Sequence, residues 1–163
     1  MGLKDIDLVV FDFDGVMTDN AVWIMEDGTE LVRCNRSDGW GLARMRDAGI
    51  EMLVLSTEKN HVVAARCAKL GIPVVQGVGD KGMVLSSILA DRGIDPNRVV
   101  YVGNDINDAE CLQIVGTSVV AADAHPSVMP LATVVLTHAG GHGAVRELSD
   151  LILFGSDLLD SRP

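Results

Sequence analysis

Short apolar runs recur along the chain, separated by stretches with helical spacing. Leu8 to Phe13, Met52 to Leu55, Val74 to Val75, Val99 to Val102, Ser118 to Ala121 and Thr133 to Leu136 read as strands. They are Val-rich and continuous, without the apolar–polar alternation of a half-exposed sheet, so they suit strands buried on both faces. Helices are expected near 39–48, 58–70, 81–92, 107–115 and 143–153. Strands alternating with helices imply right-handed crossovers and an α/β fold, a doubly wound parallel sheet with helices on both faces. One segment breaks the rhythm. Residues 21–25 (AVWIM) and 30–34 (ELVRC) flank Glu26-Asp27-Gly28-Thr29. Asp-Gly between two β-prone runs predicts a β-hairpin, spanning about 20–35, after the first strand.

The 163 residues suit one domain with one core, and the segment from about 155 reads as a loose tail. Hydrophobic residues make up 48% of the chain, yet no run approaches the ~18 apolar residues of a membrane span. An oligomer interface is the expected outlet for that apolar surface. The start, MGLKDIDLVV, is too acidic and its apolar run too short for a signal peptide, which predicts a cytoplasmic protein. A net charge of −10 argues against nucleic acid or an anionic membrane as partner. Cys34, Cys67 and Cys111 have no metal-type spacing.

Candidate chemistry gathers at strand ends. The first strand runs into Asp12-Phe13-Asp14-Gly15-Val16-Met17-Thr18-Asp19. Ligands of open α/β sheets bind outside the carboxyl ends of the strands. Two acids two residues apart reach one site there if the chain turns, and Gly15 permits a turn. The second strand ends in Ser56-Thr57-Glu58, Lys81 follows Gly77-Val78-Gly79-Asp80, and a later strand ends in Gly103-Asn104-Asp105-Ile106-Asn107-Asp108. Each alone reads equally as helix caps, loop acids or a surface lysine. Together, carboxylates, a hydroxyl and a lysine on one sheet edge suit a magnesium ion and phosphoryl transfer to a carboxylate.

With these motifs in place, the whole chain resembles the haloacid dehalogenase superfamily. The resemblance implies a Rossmann-like sheet and a Mg2+-dependent phosphatase working through an aspartyl phosphate. It makes Asp12 the nucleophile and Asp14 the general acid and base. Asp12, the backbone carbonyl of Asp14, and Asp105 would hold the metal, with Asn104 and Asp108 supporting them. Ser56, Lys81 and the amides near Gly15 would hold the phosphate. The hairpin, Asp38 to Gly41 (DGWG), VGNDINDAECL, ADAHP and GGHGAVREL are similar to the small branch without a large cap domain. That branch includes phosphatases of eight- and nine-carbon keto-deoxy sugar acids and the C-terminal domain of animal CMP-sialate synthetases. Its members imply a homotetramer in which a neighbouring subunit closes the site.

The substrate expected is a sugar-acid phosphate. Octulosonate enzymes of the branch carry Thr-Gly-Arg where this chain has Ser56-Thr57-Glu58. Glu58, Arg66 and Lys69, at i, i+8 and i+11, fall within about 80° of one another on an ideal helix. A similar trio in nonulosonate 9-phosphate phosphatases points to a nine-carbon 2-keto-3-deoxy substrate, with octulosonate 8-phosphate as the alternative. A solvated helix face is the plain reading of the trio. Two other classes are a non-catalytic module of sialate activation and a phospho-aspartate receiver. Asp14 two residues after the nucleophile favours rapid hydrolysis over a signalling phospho-aspartate. His125, His138, His142, Trp23 and Trp40 read first as loop and packing residues.

Overall fold

The computed structural model describes residues 6–155. The expected tail therefore lies, beyond Gly155, outside the described residues. Six parallel strands form the sheet: β1 (Leu8–Phe11), β4 (Glu51–Leu55), β5 (Val74–Val75), β6 (Val99–Gly103), β7 (Thr117–Val120) and β8 (Val134–Val135). Their spatial order is β5-β4-β1-β6-β7-β8. β1 is central, and Leu8 lies opposite Glu51 on one side and Val99 on the other.

Successive β1 side chains point to opposite faces. Val9 and Phe11 join α1 (Arg36–Asp47), α2 (His61–Leu70) and α5 (Ala144–Phe154) in one core layer, through Leu42, Met45, Val63, Cys67, Val145 and Leu148. Leu8 and Val10 face α3 (Lys81–Arg92) and α4 (Ala109–Ile114) in the other, through Leu85, Leu89, Cys111 and Leu112. Full burial of one such aliphatic side chain contributes about 1.5–3 kcal/mol, so the apolar runs explain why the central strands form.

The hairpin is present as a separate antiparallel pair, β2 (Thr18–Ile24) and β3 (Glu30–Cys34). Gly28 closes its turn at φ +83, and the Thr29 amide donates to Asp27 Oδ1. β2 begins earlier than expected, at Thr18, and its pairing with β3 is irregular between Thr18 and Val22.

α4 begins at Ala109 rather than 107, after a 3-10 turn over Ile106–Asp108, and two further helix starts differ by three residues from the sequence expectation. α1 begins at Arg36, not 39, because the Asn35 side chain accepts the Ser37 amide and caps it. α2 begins at His61, not 58. Asn60 is its cap and accepts the Val62 amide. Glu58 Oε1 instead accepts the amides of Lys59 and Asn60, holding residues 58–60 in a turn. Glu58 is therefore not on the helix that carries Arg66 and Lys69, and the expected single face of three side chains is not formed. Gly41 in α1 is set by contact: a Cβ there would lie 2.4 Å from Ser149 Oγ of α5. Among the described residues no helix is long and apolar enough to cross a membrane.

Candidate active site

The carboxyl ends of β1, β4 and β6 and the start of α3 converge. Asp12 follows β1, and its amide still donates to the Val102 carbonyl, so the central ladder fixes its backbone. Its Oδ1 accepts the Phe13 amide at 2.7 Å and the Lys81 ammonium at 2.7 Å. Lys81 is the first residue of α3 and its side chain is fully buried. Its ammonium also donates to Asp108 Oδ1 at 2.8 Å.

Asp108 is saturated. The Tyr101 hydroxyl donates to Oδ1 at 2.7 Å, and the Asn104 and Asp105 amides donate to Oδ2 at 2.8 and 3.2 Å. It thus fixes the lysine and the loop after β6 and leaves no oxygen for a ligand.

One ammonium serves two buried carboxylates. Burial, followed by the negative charge of Asp108, pushes the Asp12 carboxyl up to about 7, against the pull of Lys81. Burial alone would lower the Lys81 ammonium, but Asp12 and Asp108 outweigh it and hold the group above its ordinary value. The cluster is one positive charge short, and Asp12 Oδ2 makes no hydrogen bond among the described residues. Burial also raises Asp14, opposed by a hydrogen bond from Thr18.

Asp12, Asp14, Thr57, Asn104, Asp105 and Asn107 line a cavity of about 320 Å³. Its donors are all oxygen or amide, the chemistry magnesium takes, and the missing positive charge fits a divalent ion. No three His, Cys, Asp or Glu side chains among the described residues gather as a ready cation cage. Three acids and two amides on one cavity suit magnesium, which takes few protein oxygens and keeps several waters. A second cavity of about 190 Å³ adjoins it through Asp14 and is lined by Asn20, Val22, Glu30, Val32 and Glu58.

Two glycine positions bring loops close together. A Cβ on Gly15, which sits at φ +76, would lie 1.8 Å from Asn104 Nδ2. A Cβ on Gly140 would lie 2.0 Å from the Gly15 carbonyl oxygen, so the loop before α5 packs directly on the turn after Asp12. The Gly141 amide donates to the Val16 carbonyl there.

The expected site residues divide accordingly. Asp12, Asp14, Asn104, Asp105, Asp108 and Lys81 come together. Ser56 is buried and its hydroxyl accepts the Glu58 amide, while its neighbour Thr57 reaches the main cavity. Glu58 lines the second cavity. Arg66 and Lys69 line neither: Arg66 Nη2 donates to the Asn35 carbonyl, and Lys69 is exposed in the last turn of α2. Thr57, Asn107, Thr18 and Tyr101 are the residues that sequence reasoning missed. Tyr101 left one trace, a hydroxyl inside an apolar strand that needs a buried partner.

This arrangement is that of a phosphoryl-transfer enzyme, and the chain belongs to the haloacid dehalogenase-like hydrolases, whose family model matches residues 44–148. It is a phosphatase of that superfamily. It is 39% identical over 158 residues to the 3-deoxy-D-manno-octulosonate 8-phosphate phosphatase of Escherichia coli (strain K12), covering 96% of this chain and 84% of that protein. A haloacid-dehalogenase-family hydrolase structure from Streptomyces avermitilis is 47% identical with a TM-score of 0.91, covering 100% of this chain and 92% of that one. The octulosonate 8-phosphate phosphatase of Moraxella catarrhalis, solved with magnesium, phosphate and a KDO molecule, is 28% identical with a TM-score of 0.90. That match covers 98% of this chain and 92% of the other.

Proposed function

We propose that the protein hydrolyses the terminal phosphate of a 2-keto-3-deoxy sugar acid, with octulosonate 8-phosphate as the leading substrate. The observation that carries the chemistry is Asp14 standing where the two cavities meet, two residues from an Asp12 held by Lys81. The phosphoryl group occupies the larger cavity and the sugar the smaller. Asp12 Oδ2 attacks phosphorus, and Asp14 protonates the leaving alkoxide. Asp14 then takes a proton from the water that cleaves the aspartyl phosphate. Lys81 balances charge on Asp12 and the phosphoryl oxygens, and Ser56 and Thr57 orient them. Mg2+ held by Asp12, the Asp14 carbonyl and Asp105 would supply further positive charge to the phosphoryl group. The relatives' substrate supports the eight-carbon acid.

A nine-carbon acid is the second reading, favoured by Glu58. This acid lines the sugar-side cavity where the octulosonate pattern has Arg, and it offers an acceptor for polyol hydroxyls. Without Arg66 and Lys69 at that cavity, the support for a nine-carbon substrate rests on Glu58 alone.

The reading includes a homotetramer, a single domain over 1–163 and a cytoplasmic location. Val22, Trp23, Ile24, Met25 and Leu31 on the hairpin are all at least half exposed, an apolar surface that a second copy would cover beside the sugar-side cavity. Phosphate release with and without Mg2+, from octulosonate 8-phosphate, a nonulosonate 9-phosphate and simple sugar phosphates, tests it. Preference for the eight-carbon ester supports the leading reading and preference for the nine-carbon ester the second. Absence of Mg2+-dependent release from every ester overturns both.

A further inference from the structure

The Thr18 hydroxyl sits at the root of the hairpin, fully buried, with three neighbours. It accepts the Gly15 amide at 3.2 Å and the Asn20 amide at 3.2 Å, and it lies 3.2 Å from Asp14 Oδ1. A hydroxyl has one proton and two lone pairs. The two backbone amides occupy both lone pairs, so the proton has one place to go, Asp14 Oδ1. Past the second of these amides the chain continues with Asn20 at φ +60, the one described non-glycine residue in the left-handed region. That conformation is costly for an L-residue, least so for Asn and Asp, and such outliers cluster at functional sites.

The geometry points to Thr18 as the positioning residue of Asp14, fixing Oδ1 as a permanent acceptor and Oδ2 as the oxygen that gives and takes the catalytic proton. The inference rests on the acid–base role of Asp14 proposed above. In the first step the Oδ2–H proton passes to the leaving oxygen as the P–O bond breaks and Asp12 Oδ2 bonds to phosphorus. In the second, Oδ2 takes a proton from water as the water oxygen bonds to phosphorus and Asp12 is released. Asp14 cannot turn its carboxyl plane away without stranding the Thr18 proton.

The test compares kcat/KM, which reports steps up to aspartyl-phosphate formation, on two esters. An alkyl phosphate needs its leaving oxygen protonated, and 2,4-dinitrophenyl phosphate does not. Thr18→Val should lose about 100-fold on the alkyl ester, within the range that general acid catalysis supplies, and only a few-fold on the dinitrophenyl ester. Thr18→Ser should restore the alkyl rate. Equal losses on both esters, or a Ser variant as slow as Val, overturns the assignment. Should Thr18→Val not fold, exposed Asn20 decides. Asn20→Gly and Asn20→Val both lose the amide side chain, but only Val resists the positive φ that the turn holding the backbone amide of residue 20 requires. Val should then be slower than Gly by about 10-fold on the alkyl ester and by a smaller factor on the dinitrophenyl ester; equal factors on both esters overturn the proposal. Asp14→Asn separates the two levels. Normal alkyl turnover by Asp14→Asn overturns the acid–base role itself. An inactive Asp14→Asn beside an unaffected Thr18→Val overturns only the positioning.

Discussion

Asp12 combines burial with a shared cation, and that combination sets what its substitution does. Asp12→Asn removes the nucleophile and one of two crowded negative charges. Turnover should fall by at least about 10⁴-fold, while the melting temperature at pH 8 without metal should hold or rise. A stopped assay and a thermal melt on one sample check both.

Asp38 offers a second residue-scale test, remote from the chemistry. It stands in the first turn of α1, and its Oδ1 accepts the Arg146 amide, capping α5, whose own cap residue Gly143 has no side chain to do so. Its Oδ2 is buried without a partner. Burial pushes its carboxyl up to about 6, partly offset by the Arg146 amide. Between pH ~4 and ~6 the folded state holds the Asp38 proton while the unfolded state, with a pKa of ~3.9, has released it. The unfolded state then binds fewer protons, so stability falls as pH rises through that window. Asp38→Asn should remove this slope. The variant should gain on the wild type between pH 4 and 7, by an amount on the order of 1–3 kcal/mol, measured by denaturant unfolding at both pH values.

At the scale of elements, loops that touch the catalytic turn are distinguished from loops that do not. Gly140→Ala places a methyl group on the Gly15 carbonyl and must displace the turn that aims Asp14. A displacement of an ångström costs about 100-fold in rate, so kcat should drop well before stability does. Gly28→Ala, at the hairpin tip, meets nothing within 4 Å and should cost only left-handed strain, visible in the melt and not in kcat on a small ester. Much of this level was legible in the sequence. The central strands and α3 fall where the apolar runs put them, since a strand buried on both faces leaves a continuous Val-rich signature. The convergence of Asp12, Lys81 and the loop acids was legible because chemistry concentrates such residues at strand ends. The start of α2 was not. Glu58 is a good helix former, and only its own turn together with the Asn60 cap delays the helix to His61. Thr18 and Tyr101 were not legible either, because their roles depend on partners that the fold alone brings within reach.

For the whole molecule, the hairpin and the main cavity make separate predictions. Trp23 is 67% exposed, and on the proposed assembly Trp23→Glu should shift light-scattering mass from the oligomer toward the monomer. Turnover of the sugar phosphate should fall more than that of a small aryl phosphate, since the hairpin bounds only the sugar-side cavity. A chelator should stop phosphate release, and added Mg2+ should restore it. Calorimetric titration of Mg2+ should give a lower affinity for Asp105→Asn than for the wild type, with the melting temperature of the metal-free protein little changed.

The two outermost strands of the large sheet have consequences for how copies of this chain can meet. β5 and β8 are two residues each, so neither border presents a run of unpaired amides and carbonyls long enough to recruit a foreign strand. Growth of the sheet stops at both sides. Main-chain pairing between copies is left to the separate two-stranded hairpin, the ribbon that also carries the exposed Val22, Trp23 and Ile24. A chain that loses its neighbours would then expose that ribbon's apolar edge, so any dye-binding cross-β order on dilution or mutation should start at the hairpin and leave the borders of the large sheet unused.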